Sequence, residues 1–204
     1  MGTPWARRVD AFAEAADWFV AVVATVGERW DDSGLGEWDV RSLVGHTSRS
    51  LLTVEAYLAQ PADAVVVGST AAYYAATREV AAGPDVAERG RQAGRVLGDD
   101  PAAAVRDVAA RVVPLVRTCD GTEVITTIAG GMRLTDYLPT RTFELVVHTL
   151  DLAAALGTPT EPPHLPAREA LRLVADLAVE GGTAGTLLHA ATGRSLPAPG
   201  FSVL

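Results

Sequence analysis

Apolar residues recur at intervals of three and four along most of the chain, which is the spacing of amphipathic α-helices. Asp39 is a good N-cap for one such stretch, and Pro61 stops it. Asp99 or Asp100 caps another stretch that has Pro101 in its first turn. The pattern predicts helices over residues 4–29, 40–60, 101–118, 135–157 and 167–180, and a last short helix within 183–194.

Several segments interrupt this regularity. Residues 31–38 contain two glycines and several turn formers, which predicts a loop. The pattern is weaker between 65 and 97, where we expect two shorter helices with a break near Gly83. Pro114 lies inside the third long helix and should kink it or end it early. The proline-rich run at 158–166 predicts an extended connector.

A change of period precedes the helix at 135–157. Residues 122–128 are rich in Val, Ile and Thr, and two glycines follow at 130 and 131, which predicts a small β-hairpin. The simplest architecture is mainly α: an up-down four-helix bundle with one long crossover. We expect a bundle domain at 1–157 and a short C-terminal helical extension at 158–204, which is not an independent domain and whose apolar tail docks on the protein.

Composition narrows the functional classes. The 204 residues are 49% hydrophobic, and no apolar run reaches the length of a membrane span. The net charge of −8 argues against a nucleic-acid surface, which needs clustered lysines and arginines. Cys119 is the single cysteine, most simply a small hydrophobe, and the start of the chain shows no secretory signal. We therefore expect a cytoplasmic protein that binds neither nucleic acid nor membrane.

Three ionisable residues lie along one stripe of the helix at 135–157. Glu144 and His148 are four residues apart, and Asp151 follows three residues later. Apolar residues surround them, so these groups need a partner. His46, beside the buried stripe of the helix at 40–60, would complete a set of two imidazoles and one carboxylate. Such a set suits zinc with an open fourth position, and Asp151 could orient the His148 ring.

The residues leave other interpretations open. The same donors would accept iron, nickel or cobalt in place of zinc. A glutamate and a histidine four residues apart also occur as a surface or capping pair, and His46 could be an ordinary core histidine.

Two motifs resemble one protein family. The first is Trp38-x-Val40-x-x-Leu43-x-x-His46, and the second is LTDYLPTRTFELVVHTLDLA at 134–153. Both are similar to signatures of the mycothiol-dependent maleylpyruvate isomerase family, which belongs to the DinB-like superfamily of metal-binding four-helix bundles. The resemblance covers roughly residues 8–157. It implies that the metal ligands, usually of zinc, are His46, Glu144 and His148.

The resemblance also implies an activity. It predicts a zinc-dependent enzyme that uses mycothiol, the actinobacterial counterpart of glutathione, for isomerisation or thiol transfer on an electrophilic small molecule. The alternatives are a bundle that binds metal or a small ligand without turnover, and a metal-dependent hydrolase. The isomerase carries a second α/β domain that supplies an arginine, whereas this chain resembles shorter members. Arg194 could replace that arginine, and a homodimer stays open.

Other side chains have weaker assignments. Arg89, Arg91 and Arg141 could bind carboxylates of a thiol or substrate, but their sequence context favours ordinary solvated arginines.

Three aromatic residues and two further histidines are the remaining candidates for a functional role. Trp38, Tyr73 and Tyr74 could line a pocket, although aromatics of a bundle more often belong to its core. His164 and His189 have no partner at a suitable spacing, which predicts surface or local roles.

Overall fold

The computed structural model describes residues 3–81, 83 and 85–204. Within these residues the chain forms eight α-helices and one antiparallel hairpin. The helices are α1 (Pro4–Val23), α2 (Val40–Leu58), α3 (Thr70–Ala81), α4 (Asp85–Val96), α5 (Pro101–Arg117), α6 (Leu134–Ala155), α7 (His164–Glu180) and α8 (Ala184–Ala191). The strands are β1 (Val124–Thr127) and β2 (Gly130–Arg133), and a 3-10 helix spans Arg29–Asp31.

Four of the helices form a closed ring of contacts. Helix α1 packs against α5 and α6, and α2 packs against the same two helices from the other side. Helices α3 and α4 form the long crossover between α2 and α5. The bundle interior is filled by fully buried side chains that include Phe12, Phe19, Leu43, Leu51 and Leu145. The predicted mainly α bundle with a long crossover and a hairpin before its last helix is thus confirmed.

The predicted N-caps are confirmed at two bundle helices. The Asp39 carboxylate accepts a hydrogen bond from the Ser42 amide at 2.7 Å. Asp100, rather than Asp99, accepts from the amide of Ala103 at 2.9 Å, and Pro101 is the first residue of α5. Each cap satisfies an amide that has no partner within its helix, and so it fixes where the helix begins.

Two predicted helix boundaries were wrong, those at the end of α1 and at the beginning of α7. Helix α1 stops at Val23, because the chain turns there and Gly27 adopts a left-handed conformation with φ of 63°. Helix α5, by contrast, ends at Arg117, beside the predicted end at 118, so Pro114 does not end the helix early. Helix α7 begins at His164, inside the predicted extended connector. Pro166 lies in the first turn of this helix, where backbone amides have no partner within the helix. The missing N–H of this proline therefore costs no hydrogen bond.

A second proline lies inside α6, where it frees a carbonyl. Pro139 has no amide hydrogen to donate to the carbonyl of Thr135, four residues earlier. The Arg8 guanidinium of α1 donates to that carbonyl instead, at 2.7 Å. This hydrogen bond ties the beginning of α6 to α1.

Glycines allow the crossover to approach the bundle closely. A Cβ atom at Gly45 of α2 would overlap the backbone of Gly94 in α4. One turn earlier in α4, a Cβ atom at Gly90 would overlap the ring of Trp38, whose indole N–H donates to the Ala87 carbonyl at 2.9 Å. Helix α4 therefore packs directly against α2 and against Trp38, which precedes α2 in the chain.

The hairpin leads into α6 as predicted. Val124 pairs with Arg133 and Thr127 with Gly130, and α6 begins at the next residue, Leu134. The hairpin is held by the chain that follows α2, since the Val66 amide donates to the Gly131 carbonyl at 2.7 Å. These bonds fix the orientation in which α6 leaves the hairpin.

The C-terminal part packs on the bundle. Helix α7 contacts both α1 and α6. Val203 packs against the hydrophobic core, and Leu204 lines a cavity described below, so the prediction that the apolar tail docks is confirmed. The division into 1–157 and 158–204 stays a prediction. Across the described residues, every helix is too short or too polar to cross a lipid bilayer.

Candidate functional site

The α6 stripe places three ionisable side chains in contact. His148 Nε2 lies 3.2 Å from Glu144 Oε2, and His148 Nδ1 lies 3.1 Å from Asp151 Oδ2. All three side chains are partly buried. Helical spacing alone accounts for this arrangement, because residues three and four apart share one face.

His46 reaches the same point from α2. One donor atom each from His46, Glu144 and His148 lie within 4.8 Å of one another. The two imidazole rings meet edge to face, with centroids 4.9 Å apart. Nδ1 of His46 is buried and has no hydrogen-bond partner within the described part of the chain. The structure therefore brings the predicted set together and leaves one of its nitrogens unsatisfied.

The electrostatics of the three groups differ. Burial, together with the nearby His148, lowers the pKa of His46 to about 4. Burial alone would also lower the pKa of His148, but hydrogen bonds to Asp151 and Glu144 raise it to about 9. Burial would raise the pKa of Glu144, but the His148 hydrogen bond and the charge of Arg141 lower it to about 2. Glu144 is thus ionised at neutral pH.

Tyr74, which the sequence indicated only as a pocket-lining or core residue, contacts one of the three donor residues directly. The Tyr74 hydroxyl, from α3, donates to Glu144 Oε1 at 2.9 Å. Burial and the Glu144 charge raise the pKa of Tyr74 well above its usual value, so the hydroxyl keeps its proton and remains a donor. No spacing in the sequence links Tyr74 to Glu144, because the two lie on different helices.

His46, Glu144 and His148 line a cavity of about 510 Å³. Trp38, Tyr73 and Tyr74 line it and are also largely buried, so these aromatics serve both the core and the pocket. The Trp38 ring lies 4.5 Å from the His46 ring. The remaining lining residues are Arg49, Ser50, Thr53, Tyr57, Thr77, Arg78, Val86, Arg89, Ile128, Arg141 and Leu204, together with the ionisable set.

One prediction about the arginines was wrong. Arg141 is not an ordinary solvated arginine: it lies partly buried in the cavity, with its guanidinium carbon 5.0 Å from the Tyr137 ring centroid and 5.6 Å from that of Tyr73. Arg89 also lines the cavity. Arg91 is partly exposed and pairs with Glu88, as expected of a solvated arginine.

Other sequence-based predictions fall outside this cavity. Arg194 is exposed and does not line the cavity, so the structure gives it no role in place of a domain arginine. His164 and His189 are exposed, as predicted. Cys119 is half-buried, and burial raises the pKa of its thiol to about 11. An inert small hydrophobe is the interpretation that agrees with these properties.

The donor set fits a divalent transition metal. Zinc with ligands near 2.0 Å in tetrahedral geometry separates neighbouring donor atoms by about 3.3 Å. The observed 3.2 Å between His148 Nε2 and Glu144 Oε2 agrees with that value. A metal would also satisfy the ring of His46, whose buried Nδ1 has no partner in the described structure. Asp151 would fix the tautomer of His148 in the manner common to histidine ligands.

Comparison with known proteins identifies the family. The model of the mycothiol maleylpyruvate isomerase N-terminal domain matches residues 6–153, well over half of the chain. No curated protein and no solved structure gives a significant match. The matched span includes every helix of the bundle except the first two residues of α1 and the last two of α6, and it holds His46, Glu144, His148 and Asp151. The chain belongs to the mycothiol maleylpyruvate isomerase N-terminal domain family, and its helical bundle is DinB-like.

Proposed function

We propose that the protein is a zinc-dependent enzyme that uses mycothiol to attack an electrophilic small molecule, with His46, Glu144 and His148 as the metal ligands. The observation that carries the proposal is the convergence of these three side chains at a cavity, with a buried His46 nitrogen left without a partner. The family supplies the thiol, since its name specifies mycothiol. The protein's own thiol, Cys119, lies outside the cavity and is poorly ionised.

Three protein ligands leave a coordination position free, which is the usual arrangement of a catalytic metal. When bound, a divalent metal favours the thiolate form of a coordinated thiol, and the thiolate is the reactive nucleophile. The thiol proton is released on ionisation, and the thiolate then forms one sulfur–carbon bond as the π bond of the electrophile breaks and its electron pair moves onto the adjacent electron-withdrawing group. In an isomerisation the sulfur leaves again after rotation about the former double bond, whereas in a transfer the adduct is released.

The chain's own residues position this chemistry. Asp151 orients His148, and the Tyr74 hydroxyl holds one oxygen of Glu144, which leaves the other oxygen facing His148. The aromatic walls give the electrophile an apolar surface beside the donor set. The cavity, about 510 Å³, is within the size range of small-molecule sites. The partners that this proposal requires are therefore a thiol and a small electrophile.

The test measures thiol binding before turnover. Zinc-loaded protein is mixed with a chromogenic chelator, and the rate of zinc loss is followed with and without mycothiol. We expect mycothiol to slow the loss, and glutathione at the same concentration to have a weaker effect. With 1-chloro-2,4-dinitrobenzene as the electrophile, mycothiol consumption should depend on the protein, and His46→Ala should abolish it.

The alternatives give different results. A protein that holds zinc but is neither protected by mycothiol nor able to consume it would contradict the proposal. It would then be a metal-binding bundle without thiol chemistry, or a hydrolase if it cleaves ester substrates in a zinc-dependent way.

A further inference from the structure

Helix α7 has an outer face that carries exposed apolar side chains. The helix packs on α1 and α6 through its other side. The residues that it buries there are Pro166, Ala170, Leu173, Leu177 and Ala178. On the outer face, Leu171 and Val179 are each 68% exposed, and Ala175 is exposed between them. The three are four residues apart, so they form one apolar ridge of the kind that packs against another helix.

A ridge of charged residues runs beside the apolar one. Arg168 and Arg172 lie in the first half of α7, four residues apart. Asp176 and Glu180 follow in the second half at the same spacing. Arg172 pairs with Glu169 on the same helix. Within the described part of the chain, Arg168, Asp176 and Glu180 form no ion pair. The outer face of α7 is therefore positive at one end and negative at the other.

This order of charges does not stabilise α7 by itself. Like charges four residues apart destabilise a helix, and the two arginines and the two acidic residues are both spaced in that way. The helix dipole favours acidic side chains in the first turn and basic ones in the last, and α7 has neither. The charges run in the order opposite to the one that the dipole favours. A partner that presents the reversed order of charge would compensate for this.

We propose that the protein forms a two-fold symmetric homodimer in which the outer face of α7 packs antiparallel on the same face of a second copy. A reversed copy of α7 has the complementary order of charge, so Arg172 lies opposite Asp176 of the second copy. In the same arrangement Leu171 lies opposite Val179 of the second copy. The helices cross near Ala175, whose small side chain permits a close approach. Such a face is self-complementary, as a two-fold interface requires.

Helix α8 adds apolar area to this surface. It follows α7 and contacts it, and five of its eight residues are alanine or leucine. None of these residues is buried in the described structure, and Leu188 is 62% exposed. A standard interface buries about 800 Å² per partner, which is more than one helix ridge supplies, so α8 extends the interface. Neither α7 nor α8 lines the cavity, and the dimer is therefore independent of the proposed function.

The first measurement is the mass of the full chain in solution. Sedimentation velocity, from low to high micromolar concentration, should show a species of twice the chain mass of 21.3 kDa. Two variants then test the pairing of charge. The all-positive variant carries Asp176→Arg and Glu180→Arg, and the all-negative variant carries Arg168→Glu and Arg172→Glu. Each places like charges opposite one another in a homodimer, which should raise the dissociation constant at least about 100-fold.

An equimolar mixture of the two variants should restore the dimer. In the mixture, each positive ridge lies opposite a negative one, and native mass spectrometry identifies the heterodimer by its mass. Association on mixing also shows that both variants are folded, and circular dichroism checks this independently.

A double variant on another surface is the matched control. Asp99→Arg with Asp107→Arg changes the net charge by the same amount as the all-positive variant. Both aspartates are exposed, one directly before α5 and the other on it. This variant should dimerise like the unmodified protein.

Several results would overturn the proposal. Unmodified protein that is monomeric at every concentration would do so, and so would a larger assembly, because a two-fold interface closes with two copies. A dimer that persists undiminished in the all-positive variant would mean that another surface forms the interface. Folded monomeric variants that do not associate on mixing would refute the charge pairing along α7.

Discussion

The Tyr74 hydroxyl donates a hydrogen bond of 2.9 Å to Glu144 Oε1. Tyr74 belongs to α3, in the crossover, whereas Glu144 belongs to the last helix of the bundle. The crossover therefore takes part in the site by holding one oxygen of the carboxylate. Glu144 presents its second oxygen toward His148 as a result.

Removing this hydroxyl should weaken metal binding without unfolding the protein. Tyr74→Phe keeps the ring, which packs edge to face on Phe143, and releases the carboxylate. We expect zinc affinity, measured by chelator competition, to fall by about 10- to 100-fold, as for other groups that orient metal ligands. Tyr57→Phe is the control, because the Tyr57 hydroxyl has no hydrogen-bond partner in the described structure. Equal zinc affinities of the two variants would show that Tyr74 does not orient Glu144.

Zinc binding should release about one proton at pH 7. His148 is protonated in the metal-free protein because its pKa is raised to about 9, whereas His46, at about 4, and Glu144, at about 2, carry no proton. A metal must displace the His148 proton, so affinity should fall as pH decreases below about 9. Calorimetric titration in two buffers of different ionisation enthalpy measures the release. Asp151→Asn should reduce it, and a metal uptake without proton release would contradict the assignment of His148.

The raised pKa of His148 also makes the stability of the metal-free protein depend on pH. Protonated His148 stabilises the folded state through Asp151 and Glu144. This contribution is complete below the unfolded pKa of 6.5 and is lost as pH rises through about 9. Chelator-treated protein should therefore lose thermal stability between pH 7 and 9. Asp151→Asn should flatten that dependence.

Close contact between α2 and α4 predicts a sensitive glycine. A methyl group at Gly45 would overlap the Gly94 backbone, which cannot move as a flexible side chain can. We expect Gly45→Ala to destabilise the protein by about 1–3 kcal/mol, the usual range for overpacking. For a chain of this length the melting temperature should fall by about 2–4 °C per kcal/mol. Gly185→Ala, in α8 with open space around it, should leave the melting temperature unchanged or raise it.

Cys119 should react slowly with alkylating reagents. Burial and the Glu123 charge raise the pKa of its thiol from 9.0 to about 11. The thiolate is the reactive form, so alkylation of the folded protein at pH 8 should be about 100-fold slower than in denaturant. Mass spectrometry of iodoacetamide-treated protein measures both rates. Fast modification of the folded protein would mean that the thiol is more ionised than its surroundings imply.

The part of the site that follows from local spacing could be predicted from the sequence. Glu144, His148 and Asp151 lie on one helix, where the chain itself fixes their relative positions. The motif in α2 identified His46 as the third candidate ligand, and the fold confirms that α2 packs beside α6. The caps at Asp39 and Asp100 are likewise local, since each bonds an amide three residues away.

The remaining contacts depend on packing between helices. Arg141 looked like a solvated arginine because Tyr73 becomes its neighbour only when α3 folds onto α6, whereas Tyr137 lies one turn earlier on α6 itself. Tyr74 was missed as a partner of Glu144 for the same reason. Pro114 was expected to kink α5 or end it early, yet the helix continues to Arg117 because tertiary packing outweighs the loss of one hydrogen bond.

The central claim is that His46, Glu144 and His148 hold a metal. The most direct measurement is elemental analysis of untagged protein by mass spectrometry, before and after incubation with zinc and removal of the excess. We predict about one divalent transition metal per chain, the content of a single three-ligand site, and almost none in a folded His46→Ala variant. Unmodified protein without stoichiometric metal after incubation, or a His46→Ala variant that retains it, would contradict the account.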